Sequence, residues 1–361
     1  MQLTRQKKPS AVVGLEIEAG SLAAAEVRVN GTPQLGTAAI EQLPAGAFRD
    51  GEVVDADALS DGLKSLFTQH KLSKRVRLGI ANQGVLVRTV RLPAIEDPKE
   101  LDAAVRFQAQ EQMPMPLDQA VLEHQVVGGV PAEEGAPPQI DVVLVAARRE
   151  MINSFLRPLR RAGLEPVGVD LSAFGMIRAL ADEVVRPELV EGELQRPAAA
   201  VLYCSVGDVT NLAVARGRSC LFTRASHAGF GPVAEGLATS RGLSNEHAGM
   251  WLDHVGMEKP LEEIEGDPEV LAAARQALEA GLSAIVDELR LSLDYYGAQE
   301  AAVPIERVVL CGPGSTIDGM ASRMEAGLGL PIQPARPQAL GGLDDRSAAR
   351  LTLPFGLALE R

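Results

Sequence analysis

Residues 12–40 read VVGLEIEAGSLAAAEVRVNGTPQLGTAAI, and residues 199–222 read AAVLYCSVGDVTNLAVARGRSCLF. In the first block an apolar run at 11–15 meets the turn Glu18-Ala19-Gly20-Ser21. A second run follows at 22–29, then the hairpin signal Asn30-Gly31 and a third strand near 38–43. The second block repeats the order. A run at 199–202 meets Val206-Gly207-Asp208, a strand follows at 211–215, and Gly217 permits a hairpin into Leu221-Phe222. The blocks share a plan but little identity, which predicts two related halves facing each other.

Between and after the blocks the pattern alternates helix and strand, the mark of an α/β layer. Residues 57–69 read as a helix, with Leu59, Leu63, Leu66 and Phe67 at helical spacing. Residues 75–92 read as two strands broken at Asn82-Gln83-Gly84. Asp97-Pro98-Lys99-Glu100 is a helix start: a carboxylate for the free backbone donors, proline at the first position, and a capping-box glutamate. Leu101, Ala104 and Val105 form that helix's buried stripe, and Pro114 and Pro116 stop it. Residues 130–139 read as an exposed loop tip, 141–147 as a strand, and the stretch to 164 as a helix. The most regular helical pattern spans 281–299, with Leu282, Ile285, Val286, Leu289, Leu293 and Tyr296 on one face. A strand at 306–311 then runs into Gly312-Pro313-Gly314-Ser315.

Composition bounds the function. With 361 residues the chain exceeds one ordinary core. Only 3% of residues are aromatic, so packing rests on Leu, Val, Ile and Ala. The net charge of -13 excludes nucleic acid as the main partner, because a phosphate backbone needs a basic footprint. Two basic clusters stand out, Arg5-Lys7-Lys8 and Lys71-Lys74-Arg75-Arg77. They read as solvated faces, with contact to an anionic membrane surface as the alternative. Cys204, Cys220 and Cys311 are scattered and odd in number, which fits a reducing compartment and neither a zinc knuckle nor a disulfide framework. The N-terminus lacks the apolar stretch of a signal peptide, and no run approaches the ~18 apolar residues of a membrane span. The expectation is a soluble cytoplasmic protein.

Few motifs carry chemistry by themselves. Cys311-Gly312-Pro313-Gly314-Ser315 suits a close backbone approach, as any strand-to-helix turn does. There is no P-loop, dinucleotide fingerprint, HExxH, nucleophile elbow or kinase signature. His247 and His254, about two helical turns or roughly 10 Å apart, are too distant to share an ion without other ligands, so no metal site is expected. Glu16 and Glu18 are read as alternating across a strand onto opposite sides, which argues against a general-acid pair.

Taken together, several segments resemble the PilM family, the FtsA-related actin-like proteins of type IV pilus assembly. The segments are GAFRDGEVV (46–54), Arg91-Leu92-Pro93 with the helix at 97–113, Pro114-Met115-Pro116-Leu117-Asp118, and VLEHQVV (121–127). LVAARRE (144–150), Ala162-Gly163-Leu164, IVDELRLSLDYYGAQ (285–299) and the ending Gly356-Leu357-Ala358-Leu359 continue the match over nearly the whole chain. The resemblance implies an actin-like, ribonuclease H-like duplicated α/β fold with two lobes and a small FtsA-type insertion. The first lobe maps to 1–82 and 165–196, the insertion to 83–164, and the second lobe to 197–361 with a helical subdomain at about 230–300.

The resemblance also implies ATP with Mg²⁺ between the lobes. The nucleotide-binding positions carried over are Glu16, Ser21, Gly207, Asp208, Thr210, Asn211, Gly312, Gly314 and Ser315. It implies as partner the N-terminal tail of a PilN-like inner-membrane protein, held near the inserted unit, and hence a peripheral place at the cytoplasmic face of the membrane. Against the family's first loop, DIGSSSVK, this chain has Glu16-Ile17-Glu18-Ala19-Gly20-Ser21-Leu22-Ala23, with glutamate for glycine and alanine for lysine. Against the second, DIGASTTN, aligning on Thr210-Asn211 puts Cys204 at the aspartate, Val206 at the glycine and Asp208 at a small hydroxyl. A thiol is no hard oxygen ligand for Mg²⁺. The expectation is therefore a docking scaffold with a degenerate nucleotide site and no catalytic residues. The alternative is a working actin-class ATPase, with Glu16 and Asp208 in place of the missing acids. An FtsA-like division adaptor is disfavoured, because the chain stops straight after GLAL with no amphipathic anchor.

Overall fold

The computed structural model describes residues 11–130, 137–183, 199–299 and 302–359, without the side chains of Val29, Asn30 and Val130. Most of the loop expected at 130–139 and the basic cluster Arg5-Lys7-Lys8 lie outside the described residues. In the first block, β1 (Val13–Glu18), β2 (Ser21–Asn30) and β3 (Thr32–Gln42) form an antiparallel meander. A two-residue-strand hairpin follows, β4 (Phe48–Arg49) and β5 (Glu52–Val53), turned by Asp50 and Gly51 at positive φ. Then come α1 (Ala56–Gln69) and β6 (Arg75–Ile80), which lies parallel to β1.

The chain next leaves to build a separate three-stranded sheet, ordered β7-β9-β8, from β7 (Leu86–Pro93), β8 (Ala120–Val130) and β9 (Gln139–Arg148). The helix α2 (Pro98–Gln112) covers it, burying Val105 and Ala109 against Val90, Leu92, Val142 and Leu144. Asp97 caps α2 as its sequence demands, its carboxylate accepting from the Lys99 and Glu100 amides at 2.7 and 3.2 Å. The chain returns through α3 (Arg149–Arg161), β10 (Glu165–Leu171) and α4 (Ser172–Leu180).

The second block repeats the meander in β11 (Ala200–Val206), β12 (Thr210–Arg216) and β13 (Ser219–Ser226). Helices α5 (Phe230–Arg241), α6 (Asn245–Val255) and α7 (Pro268–Gly297) follow, then β14 (Ile305–Cys311), α8 (Met320–Leu328), β15 (Ile332–Pro334) and α9 (Asp345–Ala358). The sheets are ordered β3-β2-β1-β6-β10 and β13-β12-β11-β14-β15. In each, a meander is extended by two parallel strands, so the duplication read from the two blocks is a duplication of topology.

One element is longer than its pattern suggested. The helix expected to begin at Gly281 begins at Pro268, capped by Asp267, and passes through Gly281 without a break. That glycine is a packing device: a Cβ there would collide with Val233 of α5. At two other helices, sequence order and packing part company. Phe155 and Leu159 of α3 and Leu351, Leu353 and Phe355 of α9 all join the core of the first sheet. The close seat of α9 depends on absent side chains. A Cβ on Gly14 of β1 would strike the Pro354 carbonyl, and one on Gly356 the Gly175 carbonyl of α4.

Candidate functional site

The two sheets meet across a cleft at the turns that end β1 and β11. Asp50–His227 at 3.5 Å and Gln42–Glu246 at 2.6 Å tie the lobes, and Arg346 of α9, the helix packed on the first sheet, pairs with Asp253 of α6 at 3.7 Å. Within the cleft the turn residues of the two lobes come into contact. The Asp208 amide is placed to favour the charged form of Glu18, and the Ala19 amide that of Asp208. The Glu18 carboxylate lies against the bare backbone of Gly207, where any Cβ would overlap its Oε1. The Arg350 guanidinium of α9 lies near enough to favour the charged forms of Glu18, Asp208 and Asp253.

Glu16 and Glu18 act on one another, contrary to the expectation that they face opposite sides. Neighbouring strand residues alternate, but residues two apart return to the same face. Both residues are partly exposed, while their carboxyl groups are set among protein atoms. Burial first, then the charges of Glu18 and Asp208, push the Glu16 carboxyl well above its usual range, against a hydrogen bond from Ser172. Burial and then Glu18 push Asp208 well up, while Arg350 opposes. Glu18 is raised by burial, with Arg350 and the Asp208 amide opposing.

The other sequence-derived positions are arranged around this knot. Ser21 pairs in register with Glu18 at the start of β2 and is buried. Thr210 and Asn211 begin β12, opposite Val206 and Ser205, also buried. Three buried polar atoms here have no partner: Asp208 Oδ2, Thr210 Oγ1 and Asn211 Nδ2. In the third loop, Gly312 (φ 76°) lies against Ser205 and Val206, and Gly314 against Val206 and Phe230. Ser315 Oγ donates to the Gly312 carbonyl at 2.7 Å. Cys204 is fully buried and its thiol is pushed up to about 12, so it stays protonated at neutral pH. Beside Asn211, a cavity of about 20 Å³ is lined by Asn82, Leu171 and Arg224 among others. His247 and His254 lie on α6; His254 Nε2 is bonded to the Glu265 carbonyl at 2.7 Å.

Sequence reasoning missed Ser172 and Arg350. Each acts on an acid more than 150 positions away in the chain, so no spacing marks it. The only available hint was that three acids brought together require a cation.

Among the described residues no helix is long and apolar enough to cross a membrane. A solved PilM-PilN type IV pilus biogenesis complex includes a chain 27% identical to this one, covering 96% of this chain and 97% of that one, with a TM-score of 0.75. The ethanolamine utilization protein EutJ from Carboxydothermus hydrogenoformans is 15% identical, with 98% and 90% coverage and a TM-score of 0.52. MreB 5 of Spiroplasma citri, solved bound to AMPPNP, is 14% identical, with 97% and 95% coverage and a TM-score of 0.52. These likenesses establish the actin-like fold. The family model for the type IV pilus assembly protein PilM matches residues 14–359. This chain belongs to the PilM family of type IV pilus assembly proteins.

Proposed function

We propose that this chain is a cytoplasmic docking protein of a type IV pilus or related secretion assembly. It takes the N-terminal tail of a PilN-like inner-membrane protein, and its inter-lobe cleft no longer hydrolyses ATP. Family membership and the likeness to a PilM solved with PilN support the docking role. The loss of ATPase chemistry rests on one observation. The Glu18 carboxylate of the first turn lies against the bare backbone of Gly207 in the second, so the two turns that would grip a triphosphate from either side close on each other.

The residues present do not fit MgATP. A carboxylate stands against Gly207 where a phosphate would approach, the Ser315 hydroxyl is engaged, and Cys204 offers a protonated thiol. No reaction step is assigned to the cleft. The PilN-like partner holds this protein at the membrane, and the cleft's acids with Arg350 hold the lobes closed.

The unpartnered Asp208 Oδ2, Thr210 Oγ1 and Asn211 Nδ2 favour one second reading, a cleft that opens to admit a nucleotide. Calorimetric titration of the full chain separates the two. The expected result is micromolar binding of a PilN-like N-terminal peptide and no heat with MgATP. Tight MgATP binding with turnover overturns the scaffold reading, and peptide failure overturns the docking role.

A further inference from the structure

The helix α7 is 30 residues long, and α5 walls only its first half. The two run antiparallel: Arg241 pairs with Glu269 at 3.4 Å at one end, and Val233 meets Gly281 at the other. Between them lies an open groove of about 570 Å³, lined by Val233, Gly236 and Ser240 of α5 and by Ala273, Ala277 and Ala280 of α7. It is hollow because all of these but Val233 carry a small side chain or none. Beyond Gly281 the wall beside α7 is β13. Ser226 Oγ donates to the Glu288 carboxylate at 3.3 Å, Arg224 pairs with Glu288 at 3.5 Å, and the Phe222 ring lies 5.9 Å from that of Tyr295.

Past the groove, the same face of α7 changes from hollow to raised. Steps of three and four residues carry the line of Ala273, Ala277 and Ala280 through Ala284 and Glu288 to Leu291 and Tyr295. Leu291 is 58% exposed and Tyr295 51%, whereas the other large apolar side chains exposed among the described residues lie singly on other elements. Single ones are ordinary, but two stacked one turn apart make a ridge. Ridge and hollow are equidistant from Ala284. Leu291 follows it by as many residues as Ala277 precedes it, and the same holds for Tyr295 with Ala273 and for Glu288 with Ala280. Three acids of α7 beside this line, Glu269, Asp287 and Glu288, hold Arg241, Arg290 and Arg224. A chain of net charge -13 thus has paired charges here, where a like face can approach.

We propose that this face is the contact of a two-fold dimer of the chain. Each α7 lies antiparallel to its copy and crosses it at Ala284 at a shallow angle, and the Leu291–Tyr295 ridge of each seats in the other's α5–α7 groove. A two-fold contact needs a patch that is complementary to itself, and the equal spacing about Ala284 supplies one. The methyl groups of Ala280 and Ala284 let the helices approach closely. Ser240 and Gln276 line the far end of the groove, where the Tyr295 hydroxyl needs a hydrogen-bond partner. The face runs about 33 Å along α7 and roughly 20 Å across two elements, about 650 Å² per copy. The pair then buries about 1,300 Å², in the lower part of the range for specific complexes. A foreign helix would fill the hollow and leave the ridge bare, whereas a second copy covers both.

Sedimentation equilibrium of the full chain tests this, with a reversible monomer–dimer equilibrium of micromolar Kd as the expected result. Leu291→Lys should weaken association about tenfold or more, since the change occurs twice in the contact. Gly236→Leu fills the groove from α5, where a Cβ meets nothing within 4 Å. It should weaken association as much without lowering the melting temperature, because leucine suits a helix better than glycine. Ala284→Cys, on the two-fold axis, should be joined to its copy by a short bismaleimide, and Met250→Cys, exposed on α6, should not. The native cysteines are buried. A chain that stays monomeric well above micromolar concentration, association untouched by either groove or ridge variant, or equal cross-linking of the two cysteines overturns the proposal. So does open-ended assembly beyond the dimer. So does a Leu291→Lys chain that loses the PilN-like peptide rather than its own copy, which assigns the face to a partner.

Discussion

A carboxyl group taken out of water holds its proton more tightly, the more so with other acids beside it, and that gives the cleft a pH signature. Glu16, Glu18 and Asp208 all have folded-state pKa values raised above the usual 4.5 and 3.8. The folded state then binds more protons than the unfolded one between the usual and the raised values. The destabilisation is fully present above the raised values and gone below the usual ones, so stability climbs as pH falls from neutral through that window. Urea midpoints at pH 7.5 and 5.5 should show the rise. Glu16→Gln, which can still accept from Ser172, should add roughly 1 kcal/mol at pH 7.5 and flatten the slope. Glu18→Ala tests the other consequence. A carboxylate about 4 Å from a phosphate charge repels it by about 4 kcal/mol at an effective dielectric near 20. Removing it should strengthen MgATP binding tenfold or more in calorimetry. No change would mean that Glu18 is not what keeps nucleotide out.

Among the elements, glycines divide into those that admit a neighbour and those that merely soften a helix. Gly281→Ala in α7 should destabilise by about 1–3 kcal/mol, because the new methyl meets Val233. Gly236→Ala in α5 has nothing within 4 Å of the new carbon and should stabilise by about 0.5–1 kcal/mol. Denaturant titration of the pair decides whether the α5–α7 contact is as close as described. These helices also show what was legible. The Asp-Pro start of α2 was readable, and Asp267-Pro268-Glu269 carries the same signal, yet Gly281 read alone suggested a boundary. A glycine means a turn or a close approach, and only the packing partner distinguishes them. The meanders were readable because their turns and apolar runs are local. The common face of Glu16 and Glu18 is equally local, because residues two apart on a strand share a face.

For the molecule as a whole, lobe closure is the property to measure. If the cleft is held shut by its own residues, millimolar MgATP should leave the melting temperature unchanged. A ligand at a thousand times its Kd would add about 4 kcal/mol. The matching sheets followed from two blocks of sequence, whereas the cation that serves the cleft did not, because Arg350 reaches it on a helix seated by glycines of distant elements. That seat has a consequence for biogenesis. α9 follows β1 by about 330 residues yet lies on the face of the first sheet. At roughly 5–20 residues per second, a nascent chain leaves that apolar face bare for about 20–70 s while the rest is translated. Newly made protein should be a chaperone client during this interval, and a ribosome stalled just short of residue 345 should display a protease-sensitive first lobe beside an already protected insertion.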